Sequence, residues 1–296
     1  MDEALAHWLG LREATDWASR SDTLTQEVAA RLAVHDPVHV LDLATGTGSN
    51  LRYLIERLPS RQRWLLVDRS AGLLSLVYSR TTAWAAARGY IMEYVEGGFT
   101  LSGRGLDCVV QTRQMDLDLP FDPLLFTGQH LVTGSALLDL VSERWLRALA
   151  QSCVQAGASV LFALTYNGHS SFTPPEPEDD LARDLLNEHQ FGDKGLGGEA
   201  AGPRAHAHAL AAFAAAGFKV REASADWVVD ASQREFQGLL TEGLAGAALE
   251  QRPELLTAMT SWRLRRQTHV DAGRSRAVVG HHDFAAWPEP PTSPKG

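Results

Sequence analysis

The segment Asp42-Leu-Ala-Thr-Gly-Thr-Gly48 joins a short apolar run to an amphipathic one and carries most of the chemistry legible in this chain. Glycines at a strand-to-helix junction let the backbone approach a ligand closely at the carboxyl edge of a sheet, where open α/β folds bind their ligands. A pyrophosphate loop needs the spacing G-x-G-x-x-G. One frame gives Ala44, Gly46 and Ser49, the other Gly46, Gly48 and Leu51, and neither is complete. Asp42 adds a carboxylate that disfavours a pyrophosphate and suits the cationic end of a ligand. Asp68 follows Gly48 by 20 residues, at the end of the next apolar run, where an acid can accept both hydroxyls of a ribose.

These residues need a sheet to hold them. Val38–Leu43 is short, rich in branched residues and bounded by Pro37, which predicts a central strand. Leu51, Leu54, Ile55 and Leu58 form one helical stripe that Pro59 stops. The segment 64–67 reads as the second strand, and Ser70 caps a helix running to about Arg88. Strands are predicted at 106–110, 129–133, 158–164, 218–222 and 277–284, with a helix after Ser142 and another between Pro203 and Gly217. Tyr90 to Arg104 reads as an excursion without clear periodicity. Ser232 and Glu235 have capping-box spacing ahead of one further helix, and Pro253 opens another. Alternating strands and helices predict an α/β fold, a doubly wound, mostly parallel sheet of seven strands with helices on both faces.

A ribose beside an ammonium or sulfonium group describes S-adenosylmethionine. The sequence resembles the class I, Rossmann-like S-adenosylmethionine-dependent methyltransferases in Val40-Leu-Asp-Leu-Ala-Thr-Gly-Thr-Gly48, Asp68, Met115-Asp-Leu117 and Leu131-Val-Thr-Gly-Ser-Ala-Leu-Leu-Asp-Leu-Val-Ser142. The resemblance implies that Asp42 meets the methionine amino group, that Gly46 and Gly48 approach the cofactor, that Asp68 holds the ribose and that Asp116, with Asp118 close by, binds the adenine amine. Ala44 stands where a glycine is often found. Thr45, Thr47, Arg69, Met115, Leu117 and Ser135 complete the expected cofactor set, and Arg20 is a candidate partner for the methionine carboxylate. The implied activity is methyl transfer to an O or N atom of a small-molecule acceptor. The rival readings are a catalytically silent, partner-binding scaffold and a nicotinamide-dependent oxidoreductase.

Three regions would select the acceptor: an N-terminal helical cover (1–35), a polar lid loop (167–202) with six glycines, and a helical insertion (230–268) before the last strand of a 36–287 domain. His189-Gln-Phe-Gly-Asp-Lys-Gly195 gathers a titratable His, a carboxylate and an ammonium, so His189 or Asp193 is a candidate general base. Tyr166, His189 and Lys194 are candidate substrate contacts. His206 with His208, and His281 with His282, are spaced so that their side chains diverge, and no metal is expected. Arg263, Arg265 and Arg266 read as a solvated face. No Asn/Asp-Pro-Pro-aromatic motif follows the fourth strand, where members of the resembled family that modify amides or adenine carry one; Ser135-Ala-Leu-Leu stands there instead.

The 296 residues are 45% hydrophobic and 21% charged, enough for one large core. A net charge of −9, from 27 basic and 36 acidic side chains, disfavours nucleic acid as a partner. No apolar run is long enough to cross a bilayer, no secretory signal opens the chain, and Cys108 and Cys153 form no pairing pattern, so a cytoplasmic protein is expected. Pro288 to Gly296 has the composition of a disordered tail.

Overall fold

The computed structural model describes residues 2–289. Ten strands share one sheet: β1 (Val38–Leu43), β2 (Arg61–Asp68), β3 (Ile91–Val95), β4 (Gly98–Gly103), β5 (Leu106–Gln114), β6 (Leu131–Ser135), β7 (Ser159–Thr173), β8 (Phe218–Ser224), β9 (Trp227–Val229) and β10 (Arg276–Pro288). Their order is β3-β4-β5-β2-β1-β6-β7-β10-β8, with β9 paired to β10. Parallel ladders join β5-β2-β1-β6-β7, and β10 runs antiparallel to β7 and β8. The order reverses beside β1, and the crevice at such a reversal is where an open α/β sheet binds ligands. The fold is a Rossmann-like, doubly wound α/β sheet.

Helices α1 (Asp2–Ser19) and α2 (Asp22–Leu32) precede β1. Then come α3 (Ser49–Leu54), α4 (Ala71–Arg88), α5 (Pro123–Phe126) and α6 (Glu143–Ala156), followed by α7 (Asp179–Gln190), α8 (Ala205–Ala215), α9 (Arg234–Gln251) and α10 (Leu256–Asp271). Ser70 and Ser142 cap α4 and α6 through their hydroxyls, at 3.0 and 3.2 Å from the Leu73 and Trp145 amides. Two apolar clusters sandwich the sheet: one gathers Trp145, Leu146, Leu149 and Phe213 with β6 and β7, the other Leu51, Leu54, Val77 and Trp84 with β1 and β2. A third joins α9 and α10 to the sheet through Phe236, Leu240, Met259 and Trp262.

The structure corrects several expectations. The sheet has ten strands rather than seven. The 90–104 excursion is the β3–β4 hairpin, added antiparallel to β5. Gly97 supplies its positive φ of 75°, and a Cβ on Gly98 would lie 1.8 Å from the Val110 carbonyl oxygen, so the glycines that break helical periodicity are what the hairpin requires. β9 has three residues, too few for periodicity to register. The 167–202 segment is not one loop: it holds the end of β7, then α7, and an irregular stretch from 191 to 201. Ser232 does not cap α9; its hydroxyl donates to Asp230, and Glu235 accepts from His7 instead. β10 extends through Pro288, the first residue of the expected tail; Glu289 follows it, and 290–296 lie outside the described residues.

Candidate functional site

The loop after β1 turns through three left-handed residues, Ala44 (φ 52°), Gly46 (57°) and Gly48 (83°). Hydrogen bonds pin the turn: the Thr45 amide donates to the Val67 carbonyl at 3.0 Å, and the Gly48 amide to the Thr45 carbonyl at 3.0 Å. Ala44 adopts this φ with a Cβ, which costs about 1 kcal/mol relative to glycine. Ala44→Gly is therefore expected to raise stability by up to ~1 kcal/mol, read as an upward shift in thermal midpoint without loss of ligand binding.

Asp42 is fully buried at the end of β1. Its Oδ2 accepts from the Thr45 hydroxyl at 2.6 Å and its Oδ1 from the Asn50 amide at 2.7 Å. Burial pushes its carboxyl up to about 6, against the pull of those two donors and of the Arg20 charge. Arg20 stands behind Asn50, donating to its Oδ1 at 2.7 Å and stacking 3.9 Å from the Tyr53 ring centroid. The structure thus places Arg20 outside the cavity lining, holding the group that holds Asp42.

Asp68 ends β2. Its Oδ2 accepts from the Gly46 amide at 2.8 Å and its Oδ1 from the Ser70 amide at 2.9 Å, so the glycine loop and the start of α4 hang on one carboxylate. Met115, Asp116 and Leu117 follow β5 beside it, the Met115 amide reaching the Asp68 carbonyl at 2.9 Å. Asp42, Asp68, Asp116 and Ser135, from the ends of four adjacent strands, line one cavity of about 1030 Å³. Ala44, Thr45, Gly46, Thr47, Arg69, Met115 and Leu117 share that lining; Gly48 and Asp118 do not. Gly48 serves the turn instead, at the N-cap of α3.

The roof is α1. Leu5, Trp8, Leu9, Arg12 and Asp16, spaced along one helical face, line the cavity together with Asp2. Leu9 packs over the loop, 3.2 Å from where a Gly46 Cβ would stand. The helix is held by Arg52 to Glu13 (2.7 Å), by the Arg80 guanidinium to the Ala6 carbonyl (2.7 Å) and by Trp8 against Trp227 and Phe236. Arg12 pairs with Asp16 at 2.9 Å, and burial raises the Asp16 carboxyl against the pull of Arg12. The sequence placed this helix in a cover without naming its lining residues, and Asn50, Gln114, Leu137, Leu140 and Leu196 of the same lining were likewise not among the expected site residues. The signal on α1 was two charged positions, Arg12 and Asp16, four residues apart on an otherwise apolar face.

Of the candidates drawn from 189–195, the possible base Asp193 and the substrate contact Lys194 line the cavity. His189 does not: it is carried by α7 rather than by a loop, and its Nε2 lies 2.9 Å from Glu250 of α9. Tyr166 is also outside the lining, buried, with its hydroxyl on Asn187 at 2.9 Å. His206 stacks on His282, and among the described residues no three His, Cys, Asp or Glu side chains gather to hold a metal. Arg266, expected on a solvated face, is buried against Phe172. No helix among the described residues is long and apolar enough to cross a membrane.

No family model and no curated protein matches this chain. Solved structures do resemble it. An S-adenosylmethionine-dependent methyltransferase from Geobacter sulfurreducens, in complex with S-adenosylhomocysteine, is 15% identical over 92% of each chain, with a TM-score of 0.45. The cyclopropane synthase MmaA2 from Mycobacterium tuberculosis is 9% identical, covering 89% of this chain and 82% of that one, with a TM-score of 0.44. A phosphoethanolamine N-methyltransferase from Haemonchus contortus is 14% identical over 91% of this chain, with a TM-score of 0.42; the match spans about half, 53%, of its length.

Proposed function

We propose that this protein transfers a methyl group from S-adenosylmethionine to an O or N atom of a small-molecule acceptor. The observation that carries this reading is the set of carboxylates, Asp42, Asp68 and Asp116, at the ends of β1, β2 and β5 around a single cavity. A cation-bearing nucleoside, whose ammonium, ribose hydroxyls and adenine amine all donate, fits that set of acceptors. A pyrophosphate does not: the Gly46 and Gly48 amides, which a dinucleotide loop would turn toward phosphate oxygens, are committed to Asp68 and to the Thr45 carbonyl. The volume of about 1030 Å³ is at the upper end for one drug-sized ligand, which supports a site for two reactants side by side.

Asp68 would hold the ribose hydroxyls, Asp116 the adenine amine, and Asp42, with Thr45 and Asn50 fixing its oxygens, the methionine ammonium. The bound cofactor supplies an already activated methyl on a sulfonium. What remains for the protein is to align the acceptor and exclude water, and the α1 roof with Leu5, Trp8 and Leu9 supplies the apolar cover. Asp193 is the candidate base that borders the cavity; it is exposed, and its Oδ1 accepts from the Gly195 amide at 2.7 Å. Incubation with S-adenosylmethionine and a broad set of amines, phenols and carboxylic acids is expected to release S-adenosylhomocysteine in an acceptor-dependent manner. Cofactor binding without turnover on any acceptor would favour the silent scaffold.

A further inference from the structure

We infer that the methyl acceptor carries an oxyanion, a carboxylate or a phosphate, received by the Arg12 guanidinium in the cavity wall; this rests on the methyl-transfer reading for the word acceptor, though not for the anion site itself. Arg12 is 9% exposed, yet it lines the cavity. Its Nε donates to Asp16 at 2.9 Å, and its Cζ lies 4.8 Å from the Trp227 ring centroid. Those two contacts fix the plane of the fork. Among the described residues, neither Nη atom has a hydrogen-bond partner, and neither is sealed from solvent. That edge opens on the cavity without a protein partner, and its fork geometry matches a carboxylate or phosphate bidentately.

Its position separates it from the cofactor acids. Asp42, Asp68 and Asp116 lie on the β1, β2 and β5 side, whereas Arg12 faces Trp227 of β9 and is close enough to Asp139, after β6, and to His281 of β10 to shift both. Lys194 adds a second cation from the 191–201 stretch. It lines the same cavity, its ammonium donates to the His189 carbonyl at 3.1 Å, and no carboxylate among the described residues is in ion-pair contact with it. Trp8, Leu137 and Leu140 in the same lining offer an apolar seat for the rest of the molecule.

Benzoate, phenyl phosphate, benzamide and benzylamine, titrated into the full chain alone and with S-adenosylhomocysteine, test the inference by calorimetry. One or both oxyanions are expected to bind at least about tenfold tighter than benzamide, and the stronger of the two names the oxyanion. Arg12→Gln is expected to remove that preference, and Arg12→Lys to keep only part of it, while affinity for S-adenosylmethionine stays within about threefold of the intact protein. Because Arg12→Gln leaves Asp16 without its partner, Lys194→Gln provides a second arm: weaker oxyanion binding with benzamide unchanged. Equal binding of benzoate and benzamide, or a preference for benzylamine, overturns the inference. So does an Arg12→Gln protein that loses S-adenosylmethionine but keeps benzoate, which would assign Arg12 to the methionine carboxylate. Oxyanion binding by a protein that never binds S-adenosylmethionine would sustain the anion site and sink the methyl-transfer reading.

Discussion

Asp68→Ala is expected to weaken S-adenosylmethionine binding by at least about a hundredfold, through loss of two hydrogen bonds to a charged acceptor at roughly 1.5–3 kcal/mol each. The effect has two sources. The carboxylate would accept from the ribose, and it already accepts from the Gly46 amide at 2.8 Å and the Ser70 amide at 2.9 Å, so its removal also loosens the loop that must approach the cofactor. Asp68→Asn separates them, since it keeps the shape and one acceptor oxygen while losing the charge. Its binding is expected to fall between those of the intact protein and the alanine variant. Calorimetric titration of all three proteins, with thermal melts to confirm folding, makes the comparison.

Cofactor affinity is expected to rise as the pH is raised through about 6, the value at which the buried Asp42 carboxyl loses its proton in the free protein. The ionised form suits an ammonium, and the neutral acid does not. Below that pH, binding should release a proton, visible as a dependence of the binding enthalpy on the ionisation heat of the buffer. Asp42→Asn should flatten both dependences. Stability responds with the opposite sign. With its folded-state value raised from 3.8 to about 6, this carboxyl keeps its proton over a range where the unfolded chain has lost it. Its contribution therefore favours the folded state most below about pH 4 and declines as pH rises toward 6, a change of about 3 kcal/mol. Asp139, buried and raised to about 6 by desolvation, adds in the same direction.

The strands that carry the site were legible because a buried parallel strand reads as a mostly apolar, branched run, and Val38–Leu43 is such a run, interrupted by His39 and Asp42 and followed by a glycine loop. The acids of that loop and of the next strand end were legible by spacing. Arg20, a candidate for the methionine carboxylate, has its Nη1 on Asn50 and its guanidinium over Tyr53, with Nε and Nη2 buried and without a partner among the described residues; those contacts are tertiary and leave no mark on local pattern. His189 misled because glycines and prolines on either side hid α7, whose helical turn carries the imidazole to Glu250. Arg12 and Asp16 were passed over because a charged pair on an N-terminal helix looks like a solvated face until Trp227, more than 200 residues away, is packed against it.

Titration of the intact protein with S-adenosylmethionine, beside a parallel titration with NADH, decides most directly whether the carboxylate-lined cavity holds a cationic nucleoside. A single S-adenosylmethionine site that weakens sharply in Asp68→Ala, with no NADH binding, is the expected result. NADH binding in that cavity, or no binding of S-adenosylmethionine at pH 7.5 or above, where Asp42 is ionised, would contradict it.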